Sequence, residues 1–395
     1  MAKLQRKTIK TGLEKVLGGE SNLLENLRIG LICNQASVDK NFRHAADLFF
    51  QDKAIDLTAL FGPQHGIRGD VQYNMVETPH AADRSTGMPV YSLYSETRQP
   101  TEEMLSGVDA LVFDLQDVGC RVYTFIYTMA NAMKSCAAFG KKMIILDRPN
   151  PINGIKVEGN TLEIGHESFV GLYPIPMRHG LTVGELACLF NVEFDIGCDL
   201  EVITMENWAR EDFYDETDAP WVMPSPNMPT IETTVVFPAT VFIEGTELSE
   251  GRGTTRPFEI VGAPYIDGKS WADVLKSLKL PGVVFRPINF LPTFQEYAQQ
   301  ECEGVFLHVT DRETFEPVLT GLALIKTIYE IYPNDFQWRT TPYEYEFDRN
   351  PFDVIAGTNK IRKMIENGKS IEEIKNSWQT DVENFNRIRK SYLLY

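Results

Sequence analysis

Residues 55–70 read IDLTALFGPQHGIRGD. The first seven residues are a short apolar run of strand length. The rest break into glycine, proline and polar heads: Gln64, His65, Arg68 and Asp70 between Gly62, Gly66 and Gly69. A run of that length bounded by turn residues predicts a buried strand. Glycines let the loop that follows approach a ligand closely. The same transition recurs along the first half. Residues 27–33 end in Asn34-Gln35, residues 108–113 end in Asp114-Leu115-Gln116-Asp117, and residues 142–146 end in Asp147-Arg148. Helical patterns lie between, over 11–26, 43–52, 123–139 and 182–194, with further strands at 89–94 and 200–204. Alternating strands and helices predict an α/β fold with a Rossmann-like, mostly parallel sheet. Ligands bind such sheets beyond the carboxyl ends of the strands. The four polar clusters therefore point to one cleft.

No G-x-G-x-x-G follows the first strand and no G-x-x-x-x-G-K-[ST] occurs. A dinucleotide or P-loop cofactor has no support, and none is expected. The texture changes near Trp221, where Met223-Pro224-Ser225-Pro226-Asn227-Met228-Pro229 forms a stiff crossing. The boundary is placed there, with a Rossmann-like domain over 1–222 and a smaller α+β domain over 223–395. In the second half, strands are predicted at 233–238 and 304–309 and a helix at 317–332, followed by a charged amphipathic C-terminus over 357–390. A glycine-rich loop, residues 244–259, is expected to roof the cleft.

The chain has 395 residues, 43% hydrophobic and 24% charged, with formal net charge −17. That balance disfavours nucleic-acid backbones as partners, yet a local arginine cluster can still hold a small anion. No stretch reaches the length of a membrane span and no signal-peptide run opens the chain, which predicts a cytoplasmic protein, or a secreted or periplasmic one if a leader was removed. The six cysteines form no CxxC pair and read as buried free thiols.

Carboxyl groups are the natural acid–base candidates. Asp114 and Asp117 follow a buried strand near Arg121, and Glu77 lies close to the 62–70 loop. A carboxyl pair with one raised pKa is what glycoside hydrolysis requires. The competing reading for the aspartates is helix capping or pairing with Arg121. His65 and His179 both sit beside glycine and can relay a proton or bind a hydroxyl. A metal on His65, Asp70 and His80 fits no usual spacing, and no metal is expected. Arg68, Arg121, Arg148, Arg252 and Arg256 lie in strand-end or Gly/Pro-rich loops, suited to gripping a carboxylate. Glu244, Glu247 and Glu250 read as partners for Arg252 and Arg256.

Several segments carry a resemblance: GLICNQAS, ALFGPQHGIRGD, LVFDLQDVGCRVYT, LDRPNPING, GLYPIPMRHGLTVGELA, PSPNMPT, EGTELSEGRGTTRPFE and the ending KSYLLY. Together they resemble the DUF1343 family, whose characterised members are exo-β-N-acetylmuramidases of the NamZ type. The resemblance covers essentially the whole chain. It implies a cleft between the two domains and release of N-acetylmuramic acid from the non-reducing end of peptidoglycan fragments. On that reading Gln64, His65, Glu77 and Asp117 are the catalytic candidates. Asn34, Arg68, Asp114, Arg121, Asp147, Arg148, His179, Asn227, Arg252 and Arg256 are the substrate-binding ones. Many members of the family carry glutamate where this chain has Gln64. An amide cannot serve as a general acid near neutral pH. Either another carboxyl serves, with Asp117 and Glu77 as the candidates, or the chain is a sugar-binding protein that keeps the cleft.

Overall fold

A computed structural model describes residues 6–20, 23–73 and 75–395. Of the helix predicted over 11–26, residues 21 and 22 lie outside the described set; the start is helical at Gly12–Lys15 and continues as a π turn.

The first half is built on seven strands: β1 (Arg28–Cys33), β2 (Asp56–Gly62), β3 (Ala81–Ala82), β4 (Pro89–Ser92), β5 (Ala110–Asp114), β6 (Lys142–Leu146) and, after the small hairpin β7 (Glu158–Thr161) and β8 (Pro176–Arg178), β9 (Asp199–Ile203). Their order in the sheet is β3-β4-β2-β1-β5-β6-β9, parallel except for β3. Every β5 residue is buried, as expected of a strand covered on both faces. The register aligns the strand ends. Ile32 lies beside both Phe61 and Phe113, and Gly62 beside Ser92. Asn34, Gln64, Tyr94, Asp114 and Asp147 therefore leave the sheet along one edge. The helix Phe125–Phe139 covers one face and stops at Gly140, whose φ of 62° is the left-handed end a glycine supplies readily.

The second half forms a three-stranded antiparallel sheet, β10 (Ile260–Ala263), β12 (Cys302–Val309) and β11 (Val283–Phe290), in that order, with the long helix Pro317–Ile331. One continuous hydrophobic core runs through both halves, with Tyr123, Phe237 and Phe258 meeting edge-on. All six cysteines are free thiols, five of them buried. Among the described residues no helix is long and apolar enough to cross a membrane.

The strand predicted at 233–238 is instead part of the helix Ile231–Thr240. Its β-branched run favours a strand in isolation. In the fold the Thr230 hydroxyl accepts the Thr233 amide, and the Thr234 and Thr240 hydroxyls donate to carbonyls one turn back. Residues 233–240 are buried on every side, so packing decides the conformation.

Candidate functional site

A cavity opens where the two halves meet. The first half contributes Gln64 and His65 from the loop after β2, and Tyr123, Thr124 and Phe125 from the start of the long helix. The second half contributes Glu244, Arg252, Phe258, Tyr343 and Glu344, with Ser225 and Asn227 from the crossing segment.

Its polar wall is one hydrogen-bonded chain. The Thr124 hydroxyl donates to Gln64 Oε1 at 2.7 Å, and Gln64 Nε2 donates to the Tyr94 hydroxyl at 3.2 Å. That hydroxyl also accepts the Met75 amide at 3.1 Å and donates to Glu344 Oε2 at 3.2 Å. The Arg98 guanidinium lies 4.0 Å above the Tyr94 ring and 4.7 Å above that of Tyr345, holding this wall from outside. Burial pushes Glu344 up to about 7, with the nearby Glu244 charge adding to the shift. Glu344 and Tyr345 both have positive φ, 45° and 67°. For non-glycine residues that costs on the order of 1–3 kcal/mol each, and such strain clusters at active sites.

An ion-pair cluster adjoins it. Arg252 Nη1 lies 2.6 Å from Glu244 Oε1 and 2.9 Å from Glu250 Oε1, and the Tyr343 hydroxyl donates to Glu244 Oε2 at 2.6 Å. Burial alone would lower the Arg252 pKa, but the two glutamates more than offset it and the net shift is upward. Burial raises Glu250 to about 7. Gly245 lets the chain pass close by: a Cβ there would lie 2.5 Å from the Phe352 backbone. His65, at φ 70°, has its Nδ1 2.7 Å from the Val71 carbonyl. That contact fixes the proton on Nδ1 and leaves Nε2 as an acceptor. Burial lowers its pKa to about 4, so the ring is neutral at physiological pH.

Of the residues singled out from the sequence, Gln64, His65, Asn227, Glu244 and Arg252 line this cavity. The others lie elsewhere. Arg148, expected to face substrate, instead grips Asp114 with two hydrogen bonds of 2.5 and 2.9 Å in the interior. Asp147 accepts from the Thr182 and Tyr395 hydroxyls and the Gly184 amide. Arg121, 0% exposed, donates to the carbonyls of Asn160, Ile175, Ile355 and Ala356. All four of Asp114, Arg121, Asp147 and Arg148 are buried, do not line this cavity, and are tied into the scaffold by hydrogen bonds. Asn34 donates to the Pro224 carbonyl at 3.0 Å and accepts the Ala36 amide. The crossing segment is thereby tied to the end of β1, where Gln35 also donates to the Met223 carbonyl.

Asp117 is buried outside the cavity lining. Its Oδ2 accepts the Gly119 amide at 2.7 Å and lies 3.3 Å from His179 Nε2. His179 Nδ1 accepts the Leu181 amide, so the ring proton belongs on the side of Asp117. Glu77 is half exposed, 3.7 Å from Arg98. Arg68 pairs with Asp83, and Arg256 lies 3.4 Å from Glu259 beside a separate groove containing His308 and Arg312. Sequence reading passed over Tyr94, Thr124 and Glu344. For Glu344 the available signal was a glutamate between two tyrosines, Tyr343-Glu344-Tyr345, in a stretch with no helical or strand period.

Two sequence models match end to end, described as exo-beta-N-acetylmuramidase NamZ, N-terminal, over residues 29–232 and C-terminal over residues 235–395. The chain belongs to the NamZ family. It is 50% identical over 387 residues to the peptidoglycan beta-N-acetylmuramidase NamZ of Bacillus subtilis strain 168, covering 98% of this chain and 91% of that protein. Two crystal structures of DUF1343 family proteins from Bacteroides fragilis are similar in fold. One superposes with a TM-score of 0.90 at 36% identity, covering 99% of this chain and all of that one. The other gives 0.78 at 32% identity, covering 98% and 99%. The DUF1343 and NamZ resemblances read from the motifs are thus one family, and its two modules meet at the start of the helix Ile231–Thr240.

Proposed function

We propose that this protein is a glycosidase of peptidoglycan turnover, an exo-β-N-acetylmuramidase that releases N-acetylmuramic acid from the non-reducing end of cell-wall fragments. The observation that carries the reading is the cavity between the halves, which brings carboxyl groups, one arginine and an aromatic wall together. Glycoside hydrolysis needs a carboxyl kept protonated near neutral pH beside other acid–base groups. Glu344, raised to about 7, meets that need.

The electrostatics suit an anionic sugar. N-acetylmuramic acid carries a lactyl carboxylate. With Glu250 and Glu344 held toward their neutral forms, the Arg252–Glu244 pair leaves the cavity without strong negative charge. Among the described lining residues Arg252 is the one guanidinium or ammonium, and we assign it to the lactyl group. The Tyr123, Phe125 and Phe258 rings offer apolar surface for a sugar face. Gln64, His65 and Asn227 supply hydrogen-bonding heads for hydroxyl and acetamido groups.

A second reading rests on Gln64: a sugar-binding protein that has lost the carboxyl many relatives carry there. Incubation with a chromogenic muramic-acid β-glycoside separates the two. Turnover is the expected result; saturable binding without turnover would select the binding protein.

A further inference from the structure

The Gln64 amide cannot donate a proton to the leaving oxygen, and a glycosidase of this family needs a group that can. We propose that Glu344, reached through Tyr94 from the position that Gln64 holds, is the general acid of this chain. The proposal rests on the muramidase reading above.

Geometry selects it. Glu344 lines the cavity and belongs to the same hydrogen-bonded wall as Gln64. The other carboxyls are placed differently. Asp114 is locked to Arg148, Asp117 is buried away from the cavity, Glu77 stands outside it against Arg98, and Glu244 and Glu250 share Arg252. The Tyr94 hydroxyl has one proton and two acceptor sites. Gln64 and Met75 occupy the acceptor sites, and the proton goes to Glu344 Oε2. The acidic proton of Glu344 therefore belongs on Oε1. Glu344 and Tyr345 are the two central residues of a tight turn closed by paired Tyr343 and Glu346 backbones, a turn that takes positive φ at both and holds the carboxyl at its tip.

The titratable and charged groups around it are Tyr94 from the loop after β4, His65 from the loop after β2, Glu244 and Arg252 from the second half, and Tyr343 from its own loop. His65 is neutral above pH of about 4, and burial raises Tyr94 well above its ordinary value. The Glu244 charge favours the protonated form of Glu344, and the Arg252 charge opposes it. In the step, the bond from the muramic acid C1 to the leaving oxygen breaks with both electrons going to oxygen. That oxygen takes the Glu344 proton. One water is consumed: its hydroxyl goes to C1 and its proton replaces the one Glu344 has lost.

The test compares two leaving groups in wild type and Glu344→Gln. The amide still accepts the Tyr94 hydrogen bond. On the disaccharide of N-acetylmuramic acid and N-acetylglucosamine, kcat is expected to fall at least about 10²-fold, the low end for acid catalysis. On a nitrophenyl muramic-acid glycoside, whose leaving group departs unprotonated, the loss should be about tenfold or less. In wild type, disaccharide turnover should decline as pH rises past about 7, and that limb should vanish in the variant. Equal losses on both substrates would mean a structural role and overturn the proposal, as would disaccharide turnover at the wild-type rate. Wild type silent on both substrates would overturn the muramidase reading itself, a result distinct from any effect of the variant.

Discussion

At the scale of single residues, the site depends on how few charges it leaves unpaired. Arg252 is shared by two glutamates, yet it is the cation available to an anionic sugar. Arg252→Lys keeps a charge but loses the planar fork that reaches several oxygens. We expect it to weaken binding of N-acetylmuramic acid by about 2 kcal/mol or more, the lower range for a desolvated charge pair, and of N-acetylglucosamine by much less. Calorimetric titration with both sugars measures this, and equal losses would remove Arg252 from lactyl recognition. Gln64→Glu probes the neighbouring position. With Glu344 as acid, a second carboxyl in the same wall should not raise disaccharide turnover; a large gain would mean the chain had lacked its acid. Gln64, His65 and Arg252 were legible in the sequence because glycines frame them. Glu344 was not, because nothing near it in the chain tells that residues 250 positions apart, Tyr94 and Glu344, share a hydrogen bond.

At the scale of elements, the parallel sheet was readable because its strands are short apolar runs with polar exits, and register then aligned those exits. The polar exits themselves divide into two kinds. The loop after β2 faces the cavity. The first residues after β5 and β6 turn inward, where Asp114–Arg148 and Asp147 hold strand ends together, while the far end of the β5 loop returns to the cavity at Tyr123 and Thr124. Sequence cannot separate the two, since a buried ion pair and a ligand-binding pair use the same residues. The run at 233–238 was misread for a different reason: strand propensity there is overridden by burial on all sides of a helix. Arg121 joins elements from both halves through four backbone carbonyls. Arg121→Ala removes that donor from all four; Ala356 keeps the Asn160 side-chain amide, and the other three cost about 1–3 kcal/mol for each that stays unsatisfied. A loss of at least about 3 kcal/mol in denaturant unfolding is expected; a loss below 1 kcal/mol would show that water replaces the guanidinium at little cost.

At the scale of the whole molecule, the end of the chain returns to the carboxyl edge of the first sheet. The Tyr395 hydroxyl donates to Asp147 Oδ2 at 2.6 Å and accepts the Met205 amide at 2.8 Å, while its ring meets Trp208 edge-on. Burial raises Asp147 to about 6, and the Tyr395 bond pulls it back. A raised carboxyl contributes stability that is full below its unfolded value of about 3.9 and is lost as pH rises through the folded value. Tyr395→Phe removes a bond to the charged form and pushes the folded value higher. Its destabilisation should therefore be larger at pH 8 than at pH 5, reaching about 1.5–3 kcal/mol. Thermal unfolding at the two pH values reads this, and a loss independent of pH would deny the coupling. None of this was visible in the ending KSYLLY, whose partners lie about 190 and 250 residues earlier.

The most direct test of the whole account is the order of products from a defined tetrasaccharide of alternating N-acetylmuramic acid and N-acetylglucosamine, with muramic acid at its non-reducing end. Mass spectrometry of an early time course should find free N-acetylmuramic acid together with the trisaccharide that lacks it. Disaccharides from internal cleavage, or an untouched tetrasaccharide under conditions where the protein binds it, would contradict an exo-acting muramidase.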